Sequence, residues 1–371
     1  MALQQPAQPA PQAFQLPDKQ GRDYLPAAYH LVELSARGTA VSHPPRNIFI
    51  EVTNHCNLLC ETCPRTFTSY EEPQTLSWEK FLTIVEQFPE MERAVLHGIG
   101  EPLLNKALPQ MIAYLKARGV YVLFNTNATL LNEVWSYKLI EAGLDELRVS
   151  IDGADAKTYA LIRGAPLLHK VLNNLKRFVE IQQAMAISHP RPSLWMTGMK
   201  ENIAELPVVI RLAAQIGVPE VYLQRMVYYA DGTADAPGML NAGHGLFAGF
   251  DTAVNEIVAE SEALAQTLGV KLWASGATTA QESIAARREP RPWSACLRPW
   301  TTAYITANGN ALPCCISPFA TSDYNSLKLG NVFENPFTEL WNAPAYQQWR
   351  ERLLSDEPHP ACAGCGVHWS L

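Results

Sequence analysis

The sequence predicts an α/β fold: a parallel sheet with helices on its outer side, followed by a small C-terminal unit. Three observations predict it. Between residues 46 and 230, six short apolar runs rich in β-branched and aromatic residues alternate with longer stretches of helical character. Glycines stand where those helices should stop, at 119, 143 and 217. A length of 371 residues, 47% hydrophobic and 18% charged, suits one large globular domain and a smaller one.

In chain order, residues 24–38 read as a short helix ended by Gly38. Strands are expected at 47–53, 93–97, 120–124, 146–151, 193–197 and 220–224. The helices between them are expected at 77–88, where Ser77 can cap the N-terminus, then at 105–118, 132–142, 166–185 and 202–216. Six such units in a row make a parallel sheet, open or barrel-like, whose sites gather at the C-terminal ends of the strands. Residues 231–245, rich in Gly, Ala and Asp, read as a mobile loop, and a helix near 248–268 and a strand at 270–274 follow. Prolines and Arg287-Arg288 mark a linker over 276–292. Asn308-Gly309 is a hairpin turn between strands at 303–306 and 311–312. The chain therefore divides into a disordered tail (1–22), a helical segment (23–45), a core (46–230), a closing helix with linker (231–292) and a C-terminal unit (293–371).

Composition narrows the function. A net charge of −7 argues against nucleic acid as a partner, since no basic stripe is there to neutralise phosphates. The apolar runs are too short to span a bilayer. Met1 to Gln20 lack the basic start and apolar core of a signal peptide. Eight cysteines without such a signal imply metal ligands in a reducing cytoplasm rather than disulfides.

The cysteines form two sets. Cys56, Cys60 and Cys63 are spaced C-x3-C-x2-C just after the first strand. Three thiolates can hold three irons of a cubane cluster and leave the fourth iron open. Zinc is the alternative; it wants four ligands, and His55 would have to be the fourth. Cys296, Cys314, Cys362 and Cys365 make two separated pairs able to form a four-thiolate site, zinc or iron–sulfur by spacing alone. Cys315 is left over.

The first set resembles the motif of the radical SAM superfamily, with Thr62 where many members carry an aromatic residue. Other strand ends carry the same resemblance. Gly98-Ile99-Gly100-Glu101-Pro102 resembles the "GGEP" motif, Asn125-Thr126-Asn127-Ala128 the "TNG" segment, and Ser150-Ile151-Asp152-Gly153 with Tyr159 and Arg163-Gly164 the "SIDG…Y…RG" segment. Residues 293–366 resemble the SPASM/Twitch extension, through C-x(9–15)-G-x4-C, a Leu329-to-Asn342 link and C-x2-C.

The resemblance implies a partial (β/α)6 TIM-type barrel and a small hairpin-and-helix auxiliary domain. It implies a [4Fe–4S] cluster on Cys56, Cys60 and Cys63 that binds S-adenosylmethionine (SAM) and cleaves it to a 5′-deoxyadenosyl radical. Gly98, Gly100 and Glu101 would hold the methionine amino group, Ser150 and Arg163 its carboxylate, and Asn127 would lie beside the nucleoside or substrate. Asp152 reads as a turn that caps a helix. One auxiliary [4Fe–4S] cluster on Cys296, Cys314, Cys362 and Cys365 would serve electron transfer, since no cysteine follows Cys365 for a second. Cys315 would be a spare thiol or a hydrogen-atom donor. The implied activity is oxidation, or epimerisation or rearrangement, of a small molecule or peptide, with flavodoxin or ferredoxin as electron donor. A maturase of ribosomally made peptides is an alternative, against which the single auxiliary cluster counts mildly. A non-catalytic metal-binding scaffold is the alternative from another class. Inner-face residues Trp195, Met199, Gln224 and Arg225 would line a pocket or the core.

Overall fold

The computed structural model describes residues 37–229, 236–246, 252–275, 279–284, 291–363 and 365. The expected tail (1–22), nearly all of the helix at 24–38, and parts of the loop at 231–245 and the linker at 276–292 lie outside the described residues.

All six expected strands form and run parallel: β1 (Asn47–Ile50), β2 (Arg93–Val95), β3 (Tyr121–Thr126), β4 (Glu146–Ser150), β5 (Arg191–Gly198) and β6 (Glu220–Arg225). Helices α1 (Trp78–Val85), α2 (Leu108–Ala117), α3 (Glu133–Glu141), α4 (Ala156–Arg163), α5 (Leu168–Ala184) and α6 (Leu206–Ile216) connect them. After α7 (Thr252–Leu268), β7 (Lys271–Ala274) pairs parallel with β6, and α8 (Ala280–Ile284) follows. The C-terminal part contributes α9 (Arg298–Thr301), β8 (Thr302–Ile305), β9 (Ala311–Leu312), α10 (Phe337–Leu340), α11 (Pro344–Leu354) and α12 (Pro360–Ala363). The hairpin β8–β9 does not make a sheet of its own. β8 pairs parallel with β1, so one sheet runs β7-β6-β5-β4-β3-β2-β1-β8-β9 among the described residues.

The two faces of this partial barrel differ in chemistry. Ile48, Ile50, Ala94, Leu96, Val122 and Phe124 point outward and are fully buried beneath the helices. The alternate residues point inward and are mostly polar or aromatic, with Val95 and Leu123 the apolar exceptions on β2 and β3. Strands buried on both faces usually read as unbroken apolar runs; alternation here marks an inner face reserved for something other than core. Arg148 pairs with Glu146 at 3.0 Å, and Arg191 reaches Glu146 at 3.4 Å and Glu220 at 3.6 Å. The Arg148 guanidinium also lies 4.3 Å over the Trp195 ring, which stacks on Tyr222 at 3.9 Å.

Two expectations are corrected. The helix expected at 166–185 is preceded by a separate one, α4, which Asp155 caps by accepting from the N–H groups of Lys157 and Thr158. Gly164, at φ 72°, ends α4 in the left-handed conformation before α5 begins. The first strand stops at Ile50 instead of reaching residue 53, because Thr53 turns away to bridge Thr75 in antiparallel sense.

Glu71 fastens the loop after the cysteine motif to the C-terminal part. Its carboxylate accepts from Tyr324 Oη at 2.8 Å, Asn310 Nδ2 at 2.7 Å and Asn308 Nδ2 at 3.0 Å. Glu71→Ala removes the acceptor of three donors, of which Asn308 Nδ2 keeps Glu72 O at 2.9 Å, and should lower unfolding free energy by about 2 kcal/mol. A urea titration checks this; an unchanged midpoint would mean that the three bonds are replaced by water at no cost.

Candidate active site

The cysteine loop leaves the C-terminal end of β1. Cys60 is buried, Cys56 and Cys63 are half-buried, and His55 is exposed. The Cys63 N–H donates to the Cys60 carbonyl at 3.1 Å. The loop is held from several sides. Arg65 donates to Leu58 O at 2.6 Å, the Thr66 hydroxyl to Cys60 O at 2.8 Å, and the Glu61 N–H to Ile162 O at 2.9 Å. Gly164 presses on the Leu59 carbonyl, where a Cβ would collide. Burial, then the neighbouring Cys60, pushes the Cys63 thiol up to about 12; burial also raises Cys56. Such thiols stay protonated until a cation draws off the protons.

The other strand-end segments surround this loop. Glu101 is buried. One carboxylate oxygen accepts from the Thr126 hydroxyl at 2.7 Å and the Leu103 N–H at 3.0 Å, the other from the Asn127 N–H at 2.8 Å. A carboxylate has about four acceptor positions, so about one remains for a ligand. Burial raises the pKa of Glu101. Gly98 and Gly100 are required by the chain itself: a Cβ at Gly98 would strike the Glu51 side chain, and one at Gly100 the carbonyls of Thr53 and His55. Asn127 Nδ2 donates to Asn57 Oδ1 at 2.9 Å and lies 3.9 Å from Cys56 Sγ. Ala128 adopts φ 55°, which accounts for the glycine usual in the resembling segment. Ser150 ends β4 and is half-buried.

Arg163 lies half-buried beside the cysteine loop. It pairs with buried Asp152 at 2.8 Å, and its Nη1 lies 3.9 Å from Cys60 Sγ. Its Nε is buried with no partner among the described residues, a donor that a carboxylate would satisfy. Asp152 is therefore no helix cap; it also accepts from the Thr197 N–H at 2.7 Å. Capping of α4 falls to Asp155.

Cys296, Cys314, Cys362 and Cys365 line one cavity, with Trp293, Pro299, Pro313 and Trp349 among its walls. Burial and Cys314 push Cys296 up to about 12, while burial and three neighbouring thiols raise Cys362 well above the ordinary value. Cys315 is not on this cavity; its sulfur accepts from Arg298 Nη1 at 3.2 Å. His359 stacks on Trp349 at 4.4 Å, and its Nδ1 accepts from the Ala361 N–H at 3.2 Å. It thus braces the short helix that carries Cys362. His368 lies outside the described residues. No group of three or more His, Cys, Asp or Glu among the described residues is arranged for a single metal ion. Three thiols on one loop leave one corner of a cubane open and four on one cavity close one, so the two donor sets suit iron–sulfur clusters.

Two inner-face residues were not singled out from the sequence. Glu51 is buried and accepts from the Ile99 N–H at 2.8 Å, Tyr304 Oη at 3.1 Å and the Ala307 N–H at 3.3 Å; burial pushes its pKa up to about 7. His97 is pushed down to about 3 by burial and by Arg148 and Arg93. A charge in the otherwise apolar Ile48-Phe49-Ile50-Glu51-Val52 run was the available signal for the first. Of the inner-face residues named from sequence, Trp195 lies in the Arg148–Tyr222 stack, and Met199 packs in a small core with Ile162, Met226 and Met239. Gln224 and Arg225 end β6, half-buried.

Comparison with known proteins accords with this geometry. The radical SAM superfamily model matches residues 50–213, and the model of the SPASM iron–sulfur cluster-binding domain matches residues 296–366. The tungsten-containing aldehyde ferredoxin oxidoreductase cofactor-modifying protein of Pyrococcus furiosus is 24% identical over 334 residues, 86% of this chain and 87% of that protein. PqqA peptide cyclase of Granulibacter bethesdensis is 24% identical over 331 residues, 88% of this chain and 82% of that protein. Streptococcus suis SuiB bound to S-adenosylmethionine superposes with a TM-score of 0.63 at 16% identity, over 82% of this chain and 68% of that one. SuiB bound to precursor peptide SuiA gives 0.62 at 14% identity, over 86% and 76%. These superpositions show the shared fold.

Glu51 yields a pH prediction. Its folded pKa of about 7 lies above the ordinary 4.5, so the folded state holds the extra proton between those values. Stability then falls as pH rises through that window. Urea midpoints from pH 5 to 8 should show a decline, roughly 3 kcal/mol at most, that Glu51→Gln flattens. Equal slopes in the two proteins would refute the assignment.

Proposed function

This chain is a radical SAM enzyme with an SPASM-type extension, and on that premise we propose that it modifies a peptide by hydrogen-atom abstraction, most simply an oxidation. The observation that carries the chemistry is the separation of the cysteines into two places, three on the loop after β1 and four on one cavity. Cys56, Cys60 and Cys63 would hold the SAM-binding [4Fe–4S] cluster, and Cys296, Cys314, Cys362 and Cys365 the auxiliary one. With both clusters bound, the site would have an electron for the cleavage of SAM at the first and an acceptor for an electron from the substrate at the second.

The protein's own residues bind and orient. Arg163 offers Nε to the methionine carboxylate while Asp152 holds the guanidinium in place, and the Ser150 hydroxyl adds a donor from β4. Glu101 spends three acceptor positions on the loops after β2 and β3 and keeps about one for the methionine amino group. Gly98 and Gly100 let that turn lie against Glu51 and the start of the cysteine loop. Asn127, beside Cys56, faces the nucleoside.

A peptide substrate is supported by the relatives: PqqA peptide cyclases recur among them, and SuiB has been solved with its precursor peptide. This outweighs the mild contrary sign of a single auxiliary site. Flavodoxin or ferredoxin would donate the electron in a reducing cytoplasm; no helix among the described residues is long and apolar enough to cross a membrane. A second reading, epimerisation, is favoured by Cys315, which stands off the cavity beside Arg298 as a thiol free of the four-cysteine set and able to return a hydrogen atom.

The test is anaerobic reconstitution with iron, sulfide, SAM and dithionite. Wild type should bind about eight irons and form 5′-deoxyadenosine. Cys60→Ala should form none. Cys362→Ala should fall to about four irons, whereas Cys315→Ala should keep about eight. Zinc without labile sulfide would sink the proposal and leave a metal-binding scaffold. Solvent deuterium at a substrate carbon, lost in Cys315→Ala, would select epimerisation over oxidation.

A further inference from the structure

The inner wall of the barrel carries two adjacent side chains whose polar groups the chain leaves unmatched. His97 follows β2, one residue before the Gly98–Glu101 turn. Asn125 lies on β3, two residues before Asn127. They are neighbours on one face: the Asn125 N–H donates to His97 Nδ1 at 3.2 Å. That bond fixes the tautomer, since Nδ1 accepts and Nε2 must carry the proton. Burial, with Arg148 and Arg93 near, keeps the ring neutral, its pKa lowered to about 3. Phe49 meets the ring edge-on at 5.8 Å and holds its plane. The Nε2–H donates to no acceptor among the described residues, and the residue is half-buried rather than sealed. Asn125 Oδ1 is buried and meets no donor there.

Interior polar groups are nearly always paired, so a buried amide oxygen left unmatched beside an imidazole N–H calls for a ligand. The complement is an uncharged group with one donor and one acceptor. A carboxamide pairs through two hydrogen bonds with one extended residue, its N–H to that residue's carbonyl and its oxygen to that residue's N–H, since the two groups of a single trans amide point opposite ways. The terminal torsion of Asn is soft enough to turn either end inward. His97 Nε2–H then reaches the second lone pair of the same carbonyl. A carboxylate would suit this pair less well, because both partners are neutral and Arg148 is already engaged by Glu146 at 3.0 Å.

We propose that His97 and Asn125 are specificity-determining residues that hold the backbone N–H and C=O of one substrate residue inside the barrel, and so present the Cα–H between them toward the cysteine loop. This rests on the peptide-acting reading above. Asn127, two residues on, lies 3.9 Å from Cys56 Sγ, so an amide held at Asn125 stands close to where abstraction would occur.

The probe is N-acetylalanine N-methylamide, titrated into the reconstituted holoenzyme with SAM and followed by saturation-transfer NMR on the probe. Its analogue methylated at both amide nitrogens lacks the N–H donors, and N-acetylalanine carries a carboxylate instead. The amide should bind at least about tenfold tighter than either. His97→Gln, which retains a donor, should keep most of that preference, and His97→Phe and Asn125→Leu should erase it. Because the amide and its methylated analogue are compared on wild type, the test survives a variant that fails to fold. Equal affinity for amide and methylated analogue, tighter binding of the carboxylate, or preference intact in both erasing variants would overturn the proposal. 5′-Deoxyadenosine is measured in the same samples. Amide preference without 5′-deoxyadenosine would refute the radical reading and leave this site standing; 5′-deoxyadenosine without amide preference would do the reverse.

Discussion

The carboxylate of Glu51 is the point on which the architecture turns. It sits at the end of the first strand and accepts from the turn after β2 through Ile99, and from the strand and loop of the C-terminal hairpin through Tyr304 and Ala307. Gly98 is glycine because the Glu51 side chain fills the space beside it. One buried acid thus sets the position of the SAM-side turn and of the segment leading to the four-cysteine cavity. Burial of a carboxyl group is costly unless its oxygens are matched, and three donors match this one. The same burial keeps it partly protonated near neutrality.

A second principle of the site is that its backbone is shaped against itself before any ligand is held. Gly98, Gly100 and Gly164 each lie where a methyl group would meet Glu51, the Thr53 carbonyl or the Leu59 carbonyl. Glu101 ties two strand ends together with three of its acceptor positions. Asp152 does the same for Arg163 and Thr197. The groups that would touch SAM are therefore preorganised by contacts within the chain.

Much of this was legible in the sequence, for physical reasons. Strands with a fully apolar outer face and glycine-stopped helices announce themselves by periodicity, so six strands and their parallel sense were readable. Cysteine spacing carried the two sulfur sets, because ligands of one centre must lie on one short loop or on two pairs. What was not legible depended on distant partners. Asp152 looked like a cap because only the folded chain brings Arg163 beside it. His97 carried no signal beyond alternation, and Asn125 only its place in the Asn125-to-Ala128 segment, since their significance lies in what fails to pair with them. Helix α4 was missed because it is only eight residues long and ends at Gly164, just before the longer periodic run that became α5. The place of the hairpin beside β1 was hidden too, as no local pattern tells a strand which distant edge it will join.

That last pairing has a consequence for synthesis of the protein. Asn47–Ile50 has β2 on one side, but its other edge receives a neighbour only when Thr302–Ile305 has been made, about 250 residues later. At about 5–20 residues per second this is an interval of roughly ten to fifty seconds. Throughout it an apolar strand next to three thiols has an open hydrogen-bonding edge, the kind of surface that recruits other chains. The nascent barrel therefore needs shielding at that edge until the hairpin arrives, and the first three cysteines emerge long before the fold that encloses them is complete.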